Sequence, residues 1–185
     1  MCTFEFRTIY AKEAEQTAGI EQICFPPNEA CTREMMLKRV AAVPDMFWVA
    51  VDQSTGRIAG FINGLATKEE VFKDEFFQNE KLHDPDGENV MILGLDVLPE
   101  YRGRGLARAL MTGFQERERK RGRKTMFLTC LDDKVAMYEK MGFENLGISG
   151  SVWGGEQWYE MRCDLAAGMD EKSFDSRRIA EGYKK

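Results

Sequence analysis

"VLPEYRGRGLARAL", residues 97–110, joins two runs of opposite character. Before it, "NVMILGLDVL" (89–98) is almost wholly apolar and reads as a buried strand. After it, "GLARALMTGFQERERKRG" (105–122) carries apolar residues at helical spacing and ends on basic residues and Gly122. The junction holds Pro99, Arg102, Gly103, Arg104 and Gly105. A helix start exposes amides without partners and the positive end of the helix dipole. Glycines let the backbone close on a guest, the arginines add charge, and a pyrophosphate suits such a place. On spacing alone the same residues serve equally as a glycine turn with solvated arginines. No G-K-[ST] follows, so this is not a Walker A loop, and Arg108 stands where a dinucleotide fingerprint needs its third glycine.

Working outward, "TFEFRTIY" (3–10) alternates like a half-buried strand, and "AKEAEQTAGIEQICF" (11–25) reads as a helix stopped by Pro26 and Pro27. Thr32 is the expected N-cap of a second helix ending at Pro44. "MFWVAVD" and "RIAGFINGLA" flank "QSTG" as a hairpin. Residues 67–88 are polar, acidic and partly helical in pattern. Beyond the central junction come a strand, "KTMFLTCL", a helix, "DKVAMYEKMGF", and a closing hairpin of "FENLGI" and "EQWYEMRCDL". Interleaved strands and helices of this kind make an α/β domain with a mixed sheet. The domain is expected over residues 1–165, followed by a short helical tail over 166–185.

The net charge of -5 argues against a nucleic-acid partner despite the local arginine runs. Five cysteines without a C-x-x-C pair fit reduced thiols rather than a disulfide or zinc framework, and the lone His83 excludes a His-rich metal site. No signal peptide or membrane-length apolar run is visible. A cytoplasmic monomer or homodimer, without metal, nucleic-acid or membrane partner, is expected.

The residues "V-L-P-E-Y-R-G-R-G-L-A" (97–107) resemble the acetyl-CoA motif of the GNAT N-acetyltransferases, [QR]-x-x-G-x-[GA], filled here by Arg102, Gly105 and Ala107. "AMYEKMGFE" (136–144) resembles that family's second signature, Y-x-x-x-G-F. "CFPPNEA", "C-L-D" eight residues before Tyr138, and "YEMRCDL" look most like the serotonin (arylalkylamine) branch, which includes fungal polyamine acetyltransferases. The resemblance implies one GNAT-type domain, a mixed central sheet of about seven strands flanked by helices. Its central strand would splay from the parallel neighbour to admit acetyl-CoA. It also implies direct acetyl transfer to a small primary amine in a ternary complex. A peptide N-acetyltransferase and a non-catalytic acyl-CoA-binding module are the alternatives.

By the same resemblance, Leu95, Asp96 and Val97 lend backbone donors to the cofactor and the tetrahedral intermediate. Residues Arg102, Gly103, Arg104, Gly105, Leu106 and Ala107 cradle the pyrophosphate, and Tyr138 is the general acid for the departing thiolate. Phe25 and Glu29 are expected at the acceptor amine. The branch carries two histidines on the central strand, but Met91 and Leu93 stand there, so that proton relay is absent. Glu88, His83, Glu156 and Glu29 remain as candidates and leave the base open. Eight carboxylates within residues 69–88 form either a negative rim that gathers cationic amines or a solvated acidic face. Phe25, Phe72, Phe76 and Phe77 could equally cradle an aryl group.

Overall fold

A computed structural model describes residues 3–166, and all that follows concerns those residues. An antiparallel meander comes first: β1 (Phe4–Thr8), β2 (Phe47–Asp52), β3 (Arg57–Thr67) and β4 (Asn89–Val97). The helices α1 (Ala14–Cys24) and α2 (Arg33–Ala42) lie between β1 and β2, and the short α3 (Glu75–Gln78) precedes β4. A crossover through α4 (Leu106–Lys120) then lays β5 (Thr125–Cys130) parallel to β4, as a helical connection allows. After α5 (Asp132–Glu139), β6 (Glu144–Ile148) and β7 (Tyr159–Asp164) close a seven-stranded sheet of order β1-β2-β3-β4-β5-β7-β6. The tail expected over 166–185 falls, apart from Ala166, outside the described residues.

Strand alternation separates the helices onto two faces. Asn63 accepts from Arg39 of α2. Its neighbour Ile62 pairs with Trp48, whose indole packs against Gly113 of α4. Thus α1 and α2 cover one face of the sheet and α4 the other. Leu106, Leu110 and Phe114 of α4, at i, i+4 spacing, are fully buried, each worth about 1.5–3 kcal/mol of transfer free energy. The next position in that row is Glu118, fully buried among Arg117, Arg121 and Arg123.

The feature that makes a site is a fault in the middle of the sheet. β4 pairs with β5 only from Asn89↔Thr125 to Met91↔Phe127. Just past that point Asn63 pairs with Gly94 and Gly64 with Ile92, so Leu93 is an extra residue on β4. Such a bulge raises the local twist and bends the strand, and here it carries β4 away from β5. The splay expected from the resemblance is present.

Candidate active site

A cavity of about 870 Å³ fills the opening between the splayed strands. One wall is the edge of β4 and the loop beyond it. Leu98 donates its amide to Ala59 on the β3 side, so by strand alternation the backbone groups of Val97 and Leu95 turn toward the gap. Asp96 does not share that role. Its carbonyl faces Gly60 of β3, its side chain is buried on the α1 side, and it does not line the cavity. The expectation that Asp96 lends a backbone donor to the cofactor is therefore corrected: past the bulge β4 is regular, and a regular strand offers only alternate residues to one edge.

Arg102 folds back and donates from Nε to the Val97 carbonyl at 2.8 Å, which sets the loop's entry. Gly103 (φ +72°) and Gly105 (φ +78°) both sit in left-handed conformations that glycine adopts without strain. The first helical hydrogen bond of α4 runs from the Ala109 amide to Gly105, so the amides of Leu106, Ala107 and Arg108 have no partner within the helix. Arg102, Gly103, Gly105, Leu106, Ala107 and Arg108 line the cavity, and Arg104 does not. Unpaired amides, a dipole's positive end and two guanidinium groups fit a pyrophosphate. Two arginines from the far end of α4 and its cap lie elsewhere: Arg117 sits over the Trp48 ring and Arg121, just past the helix, pairs with Asp45 at 2.6 Å, and neither lines the cavity.

The opposite wall is the end of β5 with α5. Tyr138 lies in the last turn of α5. Gly142, at φ +91°, reverses the chain so that Phe143 returns under the Tyr138 ring, edge to face at 5.9 Å. That turn is the physical content of the Y-x-x-x-G-F spacing. Tyr138 lines the cavity, and burial, then the nearby Cys130 and Asp96, push its phenol well above the ordinary tyrosine range. Cys24, Cys31 and Cys130 line the same space, and burial pushes their thiols up to about 11, 12 and 12.

Phe25, Pro26 and Glu29 of the α1–α2 loop form the far end. Desolvation, then Glu156 and Asp133, raise the Glu29 carboxyl above its usual value. Trp153, from the β6–β7 connection, ties that end together: its indole donates to the Glu29 carbonyl at 2.7 Å and its ring stacks on Phe77 at 4.8 Å. Asn28 adds a bond to the Gly154 carbonyl at 2.8 Å. Of the phenylalanines considered for an aryl cradle, Phe25 and Phe77 line the cavity, whereas Phe72 and Phe76 are core.

Among the candidate bases only Glu29 reaches the cavity. His83 is half-buried and structural, its Nδ1 accepting from the Ala66 amide at 3.1 Å. Glu88 pairs with Lys124 at 2.7 Å. None of the eight carboxylates of residues 69–88 lines the cavity; Glu69 and Asp84 pair with Lys73 and Lys68, and Asp74 accepts from Ser151 and the Val152 amide. The acidic segment is a surface, not a rim.

The site instead contains a buried polar cluster that the sequence reading missed. Glu21 of α1 (5% exposed), Arg39 of α2 (3%), Asn63 of β3 and Asp96 of β4 (both 0%) meet on the α1 side of the β4 bulge. The available signal was a charge in an apolar slot. Glu21 continues the buried row of Ala14, Thr17 and Ala18 at i, i+3, i+4, i+7, and Asp96 interrupts a nearly all-apolar strand.

A model described as "Acetyltransferase (GNAT) family" matches residues 8–143. The chain belongs to the GNAT acetyltransferase family. It is accordingly an acetyltransferase, with acetyl-CoA as co-substrate. No curated protein matches this GNAT chain. Among solved structures it is similar to the GphF GNAT-like decarboxylase in complex with isobutyryl-CoA, at 20% identity and TM-score 0.72, over 87% of this chain and 99% of the other. It is also similar to the loading GNATL domain of CurA from Lyngbya majuscula, at 14% identity and TM-score 0.77, over 89% and 98%. A third likeness is to a phosphinothricin acetyltransferase from Sinorhizobium meliloti in complex with AcCoA, at 18% identity and TM-score 0.64, over 94% of each. At these identities the likeness is one of fold. Among the described residues no helix is long and apolar enough to cross a membrane.

Proposed function

We propose that this GNAT enzyme acetylates a small cationic primary amine by direct attack on acetyl-CoA in a ternary complex. The observation that carries the reading is the continuity of one cavity. It joins the α4 N-terminal loop, Tyr138, and an acceptor end bounded by Phe25, Glu29, Phe77 and Trp153. Gly103, Gly105, Leu106, Ala107 and the Arg102 side hold the pyrophosphate, and the gap-facing edge at Leu95 and Val97 pairs with the extended arm of the co-substrate. Tyr138 keeps its proton at neutral pH, as an acid for the departing thiolate must. Direct transfer is favoured over an acetyl-cysteine because each cavity cysteine is held as a thiol, and the thiol is a poor nucleophile. The polyamine and arylalkylamine classes suggested by the branch resemblance both suit a cavity with apolar aromatic walls and acidic groups at one end.

A thiol-release panel with spermidine, phenethylamine, tryptamine and a short peptide tests this. Release with one or more of the small amines, exceeding that with the peptide, is the expected outcome. Turnover of the peptide alone replaces the small-amine reading with a peptide acceptor.

A further inference from the structure

The cluster beside Gly94 has more acceptors than donors. Glu21 Oε1 takes the Cys31 amide at 3.0 Å, which fixes the carboxyl and leaves Oε2. Arg39 donates from Nη1 to Asn63 Oδ1 at 3.1 Å and from Nη2 to the Phe77 carbonyl at 2.7 Å. The Asn63 amide nitrogen is thereby turned toward the carboxyls. Glu21 Oε2, both Asp96 oxygens and Asn63 Nδ2 are buried and find no hydrogen-bond partner among the described residues. These groups converge on one spot. From the position a β-carbon on Gly94 would take, Asp96 Oδ2 is 3.0 Å away, Asn63 Nδ2 3.1 Å and Glu21 Oε2 3.6 Å. Glycine leaves that spot open, and Gly94, Glu21 and Arg39 all line the cavity.

An ionised carboxylate only accepts hydrogen bonds, so two of them side by side require a shared proton or a cation. One guanidinium, from Arg39, balances one carboxylate. The neutral resting state is Arg39 charged, one carboxyl ionised and the other protonated. Desolvation, followed for Asp96 by the neighbouring Glu21, holds both carboxyls above the usual carboxylate range. Resting on the acetyl-transfer reading above, we infer that the Glu21–Asp96 pair is the proton acceptor for the incoming ammonium, with Glu21 Oε2 as the atom that receives the proton at the Gly94 notch, directly or through one water.

The step balances. An N–H bond of the ammonium breaks and an O–H bond forms on Glu21. The freed nitrogen pair forms the C–N bond at the thioester carbonyl, the C–S bond breaks, and the thiolate takes the Tyr138 proton. The second nitrogen proton, lost as the amide forms, restores Tyr138. The proton on Glu21 is the net proton released to solvent. With Met91 and Leu93 in the slots of the histidine relay, the Glu21–Asp96 pair supplies the basic group further along β4, on the same face as Met91, since Met91 pairs with Leu65 and Asp96 with Phe61.

The test compares wild type with Glu21→Gln, using spermidine and an aromatic amine that is already neutral at the assay pH. The groups facing the pair are Arg39 from α2, Cys24 and Cys31 from the end of α1 and the loop beyond it, and the more distant Tyr138 and Arg102, so the pH profile is read against those. Glu21→Gln is expected to lower kcat/KM for spermidine by about 10² or more and to remove the acidic limb, the fall in rate as pH drops through the ionisation of the pair. The neutral amine should lose far less, and CoA affinity should stay within about twofold. Asp96→Asn serves as the second variant. It replaces the protonated partner by an amide that still donates to Glu21 but cannot share a proton with it, so it should lower the rate while leaving Tm close to wild type. An unaltered pH profile in Glu21→Gln, or equal losses for both amines, overturns the proton-acceptor role. So does a Tm that falls in Asp96→Asn in step with activity. A wild-type enzyme that releases thiol with no amine overturns the acetyl-transfer reading itself, and this inference with it.

Discussion

The end of the cavity proposed for the co-substrate is made of contiguous backbone, the gap-facing edge of β4 and the loop running into α4, whereas the end proposed for the acceptor is made of side chains from separate elements. The first end works through amides and glycine dihedrals. Any change there acts on whether the chain can take a shape. The second works through charges in a dry place, where Glu21, Arg39, Asn63 and Asp96 are each more than nine-tenths buried. Changes there act on protonation and on what is left unpaired. The contrast explains why one end is readable as a short motif and the other is not.

Tyr138 sits between the two ends and should give the largest effect. Tyr138→Phe removes the acid without disturbing the Phe143 contact, so turnover at neutral pH is expected to fall by about 10² to 10⁴, with CoA affinity within about twofold by calorimetry. A variant with full turnover would make Tyr138 a packing residue and leave the thiolate to depart unaided.

Gly105→Val attacks only the backbone-built end. A side chain forced to φ +78° costs about 1–2 kcal/mol, and more for a β-branched residue. CoA binding should weaken by about 5–30-fold, with the acceptor KM unchanged. Equal weakening of both substrates would erase the distinction between the ends. Trp153→Ala attacks only the side-chain end. It removes the bond to Glu29 and the stack on Phe77, so the acceptor KM should rise about fivefold while CoA affinity holds.

Two smaller effects sharpen the electrostatic side. Because the acidic groups at the acceptor end are buried, salt screens them weakly, and spermidine turnover should change less than about twofold between low and high salt. A steep fall would return the acidic surface of residues 69–88 to the account. The smallest effect concerns His83, whose neutral ring accepts from Ala66 and whose pKa burial depresses. The folded state thus resists a proton that the unfolded chain binds, and stability present above the unfolded histidine value of about 6.5 is lost as pH falls through it. Thermal melts from about pH 7.5 to 5.5 should show that loss, with a shallower slope in His83→Gln.

The seven strands, their hairpins and the crossover helix were legible because each carries its own period and its own stops: Thr32 capping α2 through the Met35 amide, Gly122 past α4, Gly142 past α5. The glycine loop proposed for the pyrophosphate was legible as a shape for the same reason, since Arg102, Gly103 and Gly105 act within one turn of chain. The reading of the acidic segment stayed open between a rim and a solvated face because composition shows charge but not where a loop carries it. Lys68, Lys73 and Lys124 absorb those carboxylates on the surface. The sequence by itself therefore determined the α/β architecture and the local shapes of the glycine loop at Gly103–Gly105 and the turn after Tyr138, all of them set by interactions between near neighbours in the chain. Only the tertiary structure decided that Leu93 bulges, that Asp96 turns from the gap, and that Glu21 and Asp96 share a buried site with one arginine. Burial and pairing across 75 residues of chain separation (96 − 21) are properties of the packed sheet, and no local period encodes them.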